Sequence, residues 1–340
     1  MQKINNRMRS IDIAKGIAMI CIILGHLGNS GINRVVFTFH VPIFFFITGF
    51  FVSSKRSTGE FCKNKARTLL VPYFITCAVM VTIGVIKGAS EGDVTGSLIK
   101  WVYASIYAAG DSYREPFNIP GIGAIWFLWA SFWGCIFLRI SLNMKAGIRI
   151  AFIAGLFIFG FFSRELFWFP LSIQAGACAT FFMYLGYLLK GAMERLKEIP
   201  VEIKVISGII ASFVWLEFMI NFKSFWLVHC DIGRGMIDII GCICACSVIM
   251  VISAAIDKKA GFFAGILSFF GKYSLFILCV HIVELRFVPW KQITGKMIAY
   301  GMPPELELVV IIAGKLIFDL TITFILSKIP AAKKLYGMKG

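Results

Sequence analysis

Lys15 and His26 are the two side chains whose types and spacing first suggest chemistry. They are an ammonium that can hold negative charge and an imidazole that can carry a proton near neutral pH. They lie in the run Arg9-Ser-Ile-Asp-Ile-Ala-Lys15-Gly-Ile-Ala-Met-Ile-Cys-Ile-Ile-Leu-Gly-His26. Eleven residues make about three helical turns, so both fall on one face of a helix, roughly 16 Å apart along its axis. Asp12 sits one turn before Lys15, near the same face. The run is otherwise apolar and reads as a membrane helix. Charged groups kept in such a helix usually point into a bundle or cavity and serve function. The competing account pairs Asp12 with Lys15 near the cytoplasmic end, snorkelling to the interface, and leaves His26 as a helix-end histidine facing water.

The composition defines the frame that must position these groups. Hydrophobic residues at 59% and charged residues at 15%, with a mean hydropathy of +0.83, exclude an ordinary soluble domain. The 340 residues leave room for about ten spans of some twenty residues each. Apolar runs fall at 10–28, 35–53, 69–87, 122–142, 149–163, 173–190, 204–220, 234–256, 262–285 and 306–327. No linker, repeat or low-complexity segment interrupts them, so residues 1–340 are expected to form one all-α integral membrane domain of about ten transmembrane helices.

A net charge of +16 would suggest nucleic acid for a soluble protein. Here the basic residues gather between apolar runs, and no basic soluble module is present to bind nucleic acid. With the N-terminus in the cytoplasm, the inner segments include Lys3, Arg7, Lys55, Arg56, Lys63, Lys65, Arg67 and Lys339. They carry about twice as many Lys and Arg as the outer ones, the bias expected when both termini are cytoplasmic. Asp12 and Lys15 interrupt the apolar core of what would otherwise be a signal peptide, so the first run is expected to be retained as an anchor. The ten cysteines lie mostly within apolar runs and read as small fillers, with no metal spacing in Cys242-x-Cys244-x-Cys246.

Further polar residues mark the other runs. His40 opens the second, followed by Pro42 and Gly49, which can loosen or kink a helix. The basic segment Lys63-Asn-Lys65-Ala-Arg67 leads into Leu69-Leu-Val-Pro72-Tyr73. It is either a topogenic loop or a phosphate-binding edge. Lys272 and His281 share the ninth run, and Lys315 and Asp319, four apart on the tenth, are expected to neutralise each other. Glu217 and Asp238 have no partner legible in the sequence, and His229 reads as a solvated loop histidine. The histidines show no His-x-x-His or Glu-x-x-His spacing, so no metal is expected. The outer connection 88–121 is expected to hold an interfacial helix and a turn.

These residues resemble the acyltransferase-three family of integral membrane O-acyltransferases, especially its fucose 4-O-acetylase-like branch. Lys15 to His26 matches the family's Arg/Lys-x10-His signature, and residues 12–17 and 39–50 match its other N-terminal motifs. Leu69-Leu-Val-Pro-Tyr73, Trp126-Phe-Leu128 and Ser274 to His281 look like later landmarks, while the family's paired arginines are met only in part, by Lys65 and Arg67. The resemblance implies transfer of an acyl group, usually acetyl, from cytoplasmic acyl-CoA to a hydroxyl of a cell-surface or lipid-linked sugar. The setting would be the bacterial cell membrane, with no bound cofactor. His26 would act as base or form an acyl-histidine, and Lys15, steadied by Asp12, would orient the donor or stabilise an oxyanion. His40, Lys65, Arg67, Trp126, Lys272 and His281 would contact donor or acceptor. The alternative from another class is a multi-span transporter or flippase, although the repeats of such folds are not evident.

Overall fold

The computed structural model describes residues 8–53, 57–114, 117–259 and 261–336. Lys3, Arg7, Lys55, Arg56 and Lys339 of the charge count lie outside them. The described residues are helical, with no strand beyond one bridge between Tyr113 and Ile119. In chain order the helices are α1 (Arg9–Gly25), α2 (Ser30–Val36), α3 (Pro42–Phe50), α4 (Thr58–Lys65), α5 (Val71–Glu91), α6 (Val94–Tyr107), α7 (Trp126–Ser141) and α8 (Ala146–Ser163). They continue as α9 (Ile173–Glu198), α10 (Val201–Ile220), α11 (Met236–Lys259), α12 (Phe262–Lys272), α13 (Ser274–Phe287), α14 (Trp290–Ala299), α15 (Glu307–Lys328) and α16 (Pro330–Leu335).

This is an all-α membrane protein. Among the described residues, 6 helical stretches are long and apolar enough to cross a membrane, or 7 if the broken pair α12 and α13 counts as one span. The expected ten include four runs that form shorter or interrupted helices. The first is α1, of 17 residues. The second is split into α2 and α3 by a turn at 37–41, because Pro42 opens a new helix and has no N–H for the old one. The fourth is α7, of 16 residues. The ninth run is likewise two helices and not one, broken at Tyr273 between Gly271, a weak helix former, and Ser274, a residue type that favours helix starts.

The chain forms two compact units. The first comprises Met1–Phe51, Tyr184–Leu227 and Asp231–Ser274. Its centre is α1, which is buried on almost every side by Ile11, Ile13, Ala14, Ala18, Met19, Ile22 and Ile23 and packs on α12, α11, α2 and α3. Glycines set the closeness. A methyl added at Gly16 would overlap the carbonyl oxygen of Leu267, and one at Gly271 would overlap that of Asp12. The helices α1 and α12 therefore meet backbone to backbone, as small residues allow in membrane bundles. Gly271→Ala is expected to cost about 1–3 kcal/mol or more, the range for overpacking a tight core, read as a lower melting temperature in detergent. Gly265→Ala, which has open space around it, should not lower melting and should raise it slightly, since alanine is the better helix former.

The second unit comprises Val52–Met183, Val228–Cys230 and Leu275–Gly340. Here the basic run is not a loop. Ser57 accepts the Glu60 N–H at 3.3 Å and starts α4, which continues through a π-helical turn, Ala66–Leu70, into α5. Pro72 cannot donate to the carbonyl of Thr68, and the wide turn absorbs that lost bond. The expected helix of the outer connection is α6, capped by Asp93 at the Gly96 N–H, 2.8 Å away. It lies along α5, where Gly84 leaves room for the Trp101 ring.

Candidate active site

In the first unit, Lys15 Nζ lies 3.0 Å from Asp12 Oδ1, with the Asp12 side chain 6% and the Lys15 side chain 24% exposed. The pair expected from the sequence forms, but inside the α1–α12 packing and not at a free interface. Lys272 ends α12, exposed, with its ammonium 5.2 Å from the Tyr273 ring centre.

His26 caps the C-terminal end of α1 and is exposed. Its Nδ1 lies 2.8 Å from the Ile22 carbonyl oxygen. A carbonyl can only accept, so Nδ1 carries the hydrogen and the neutral ring presents Nε2 as its basic lone pair. His40 repeats the device, with Nδ1 2.7 Å from the Val36 carbonyl oxygen, but it is buried. The turn that carries it is held by aromatic rings. Phe37 stands edge-on to His40 at 4.7 Å and meets Trp226 at 5.6 Å. Trp215 Nε1 donates to Thr38 Oγ1 at 2.9 Å. Gly25, beside His26, lets the Phe37 ring close on α1.

Glu217 and Asp238 gain the partner that the sequence did not show. Arg234 donates to Glu217 Oε1 and Oε2 at 2.7 and 3.0 Å and to Asp238 Oδ1 at 2.8 Å, tying α10 to α11. This fork is structural.

In the second unit, Lys65 is the last residue of α4, half-buried beside Cys135. Arg67 sits exposed on the π-helical turn, and such turns recur at functional sites. Trp126 is the first residue of α7 and 6% exposed, with Gly110 close against its ring.

His281 is fully buried. Its Nδ1 lies 3.0 Å from both Asp319 Oδ2 and Glu284 Oε2, while Lys315 donates to Glu284 Oε1 at 2.7 Å. Trp290 also donates its indole N–H to Glu284 Oε1. Lys315 and Asp319 are therefore not each other's partner, as their spacing suggested; each turns to a group on α13, because those groups share the buried interior. His281, Glu284 and Asp319 offer ligand atoms within 4.8 Å of one another, a set that could hold a metal ion. With the imidazole as a cation, the four charges cancel as two interlocked ion pairs. Glu284 was missed in the sequence, although His281-x-x-Glu284 puts the two one turn apart on one helix face.

His229 is not a free loop residue. Its Nδ1 lies 2.8 Å from the Tyr113 hydroxyl, and its Nε2 lies 3.4 Å from Asp111 Oδ2. That hydrogen bond holds the Asp111 carboxyl below its usual range, against a smaller upward push from burial, and the Ser112 N–H and the Arg286 charge add to the lowering. A lowered carboxyl contributes stability above its ordinary pKa, about 4, and loses it as pH falls through the lowered value. Asp111→Asn should flatten the acid-side slope of melting temperature against pH.

A family model described as an acyltransferase domain matches residues 8–327. The chain is 30% identical over 141 residues to the nodulation protein NolL of Sinorhizobium fredii (strain NBRC 101917 / NGR234), covering 37% of this chain and 34% of that protein. It is 26% identical over 151 residues to the nodulation protein NolL of Mesorhizobium japonicum (strain LMG 29417 / CECT 9101 / MAFF 303099), covering 40% of this chain and 36% of that protein. The matches thus span about a third of the length of these curated relatives. No solved structure matches.

Proposed function

This chain belongs to the acyltransferase-three family, and we propose that it is an O-acyltransferase moving an acyl group, most simply acetyl, from cytoplasmic acyl-CoA to a sugar hydroxyl. The sugar would belong to a cell-surface or lipid-linked carbohydrate, and the setting would be a bacterial cell membrane. The observation that carries the reading is the hydrogen bond from His26 Nδ1 to the Ile22 carbonyl oxygen, which sets the neutral tautomer in which Nε2 is the basic nitrogen of an exposed side chain. A sugar hydroxyl is a poor nucleophile. Nε2 takes its proton as the oxygen attacks the thioester carbonyl, and the tetrahedral adduct collapses with loss of the CoA thiolate, which the imidazolium can reprotonate. A positioned base of this kind is typically worth about 10²–10⁴-fold.

The spacing also chooses between the two roles open to Lys15. At roughly 16 Å along the helix from His26, its ammonium is too far to stabilise an oxyanion formed at that histidine. Lys15, fixed by Asp12, instead holds the remote end of an extended donor. The roles of Lys65, Arg67, Trp126, Lys272 and His40 as substrate contacts belong to the same proposal and rest on the family resemblance. His281, enclosed by carboxylates, positions its helix.

The test is release of free thiol from acetyl-CoA by the detergent-purified protein, with and without an envelope glycan fraction. The expected result is thiol release stimulated by the glycan. A transporter would release none under either condition, and absence of release across acyl-CoA donors and glycan fractions would overturn the reading.

A further inference from the structure

The most constrained backbone among the described residues surrounds a polar cluster that acyl transfer at His26 does not use. Ala108, Asn118, Leu171, Ser172 and Cys230 have positive φ between 48° and 59°, the only such residues besides glycines in the described chain. All five lie in loops of the second unit, and left-handed non-glycine residues cost free energy that clusters at functional sites. Cross-links hold these loops. Ser172 Oγ donates to the Ala108 carbonyl at 2.6 Å, the Tyr107 hydroxyl to the Trp168 carbonyl at 2.5 Å, and Arg164 Nη1 to the Cys230 carbonyl at 3.0 Å.

The loops present a row of groups drawn from distant parts of the sequence. Asp111 is exposed, and its carboxylate can only accept, so His229 Nε2 carries a hydrogen toward it. His229 Nδ1 then accepts from the Tyr113 hydroxyl. The Tyr113 ring lies flat on the buried Trp168 ring, at 4.7 Å and 7°, and the Trp168 indole N–H has no acceptor among the described residues. Arg286, also exposed, reaches the Gly121 carbonyl at 3.4 Å and lies near enough for its charge to act on Asp111.

We propose that Asp111, with Tyr113, His229 and Arg286, forms a subsite for a neutral sugar, its carboxylate accepting from two adjacent hydroxyls while Arg286 donates to a ring or hydroxyl oxygen. A carboxylate beside a guanidinium offers both acceptors and donors at neighbouring positions, which suits a diol. The same carboxylate repels a phosphate, and the guanidinium repels a metal cation. The inference rests on the acceptor being a carbohydrate, and it places acceptor recognition on loops with no part in the proton transfer.

Binding can be tested apart from turnover. Saturation-transfer NMR on the detergent-purified full chain would use methyl hexopyranosides, matched deoxy analogues lacking one hydroxyl of a vicinal pair, and hexose phosphates. The native chain should bind neutral glycosides that have the diol and neither other class. Asp111→Asn and Tyr113→Phe, both close in shape to the native residues, should still fold, with a melting temperature at neutral pH lowered slightly by loss of the contact to His229. Asp111→Asn should weaken binding by at least about tenfold, the loss of one hydrogen bond to a charged group. Absence of glycoside binding by the native chain, equal binding by Asp111→Asn, or preference for the phosphates would overturn the subsite. None of these outcomes bears on thiol release from acetyl-CoA, so the two readings fail separately.

Discussion

Replacing His26 with alanine is expected to lower acyl transfer by about 10²–10⁴-fold, the usual contribution of a positioned general base, while leaving the fold intact. The second half of that expectation follows from the geometry. His26 is an exposed helix-cap residue whose Nδ1 hydrogen bond is local, to Ile22 one turn back. Substitutions at exposed positions away from special features typically change stability by within about 0.5 kcal/mol. The loss should fall on kcat and not on the donor KM, because the imidazole acts at the moment of attack. Added imidazole should restore part of the rate, an effect that a merely structural role would not give. Lys15→Met should show the opposite split, with the donor KM rising more than kcat falls, as follows from the proposed role of Lys15 in holding the donor at a distance.

The second large effect concerns stability. Glu284→Ala is expected to cost about 3–5 kcal/mol, the range for breaking a buried ion pair from one side. It would strip Lys315 and Trp290 of the carboxylate they share and leave Lys315 as a buried charge without that carboxylate. The double replacement Glu284→Leu with Lys315→Met removes both charges together and should cost less than the sum of the single changes. Thermal melting of the four proteins in detergent provides the cycle. Additive single and double effects would show that Glu284 and Lys315 do not act as a pair.

How much of this was legible in the sequence varies by element. The apolar runs gave the membrane class, since twenty apolar residues have few soluble uses, and Pro42 marked the break in the second run. The break at Tyr273 was marked only by Gly271-Lys272-Tyr273-Ser274 within a longer apolar run, and a hydropathy reading carried the run across it because hydropathy does not register backbone direction. The Asp12–Lys15 pair was legible because it lies within one helical turn, as was the spacing of Lys15 and His26. The π-helical turn was hidden: a basic stretch before an apolar run looks like a loop whether or not it is helical. Partners from distant elements were the least visible. Asp319 and Lys315 are 38 and 31 residues from the groups they bind on α13, and Tyr113 is 116 from His229. Their own helix offered Lys315 and Asp319 a simpler pairing at four residues apart, and only the packing of α13 against α15 shows that they decline it. Glu284 is the instructive case, since its one-turn spacing from His281 was present, yet a lone acid near a helix end invites no attention without its partners.

The central claim is that this chain carries an acyl group from a thioester to a sugar hydroxyl by way of His26. The most direct measurement gives the purified native protein and His26→Ala the same ¹⁴C-acetyl-CoA and envelope glycan fraction, then counts alkali-labile label on the glycan. The account predicts label with the native protein and background with the variant. Equal label with both would contradict the role of His26, and no label from folded native protein on any glycan fraction would contradict the transfer itself.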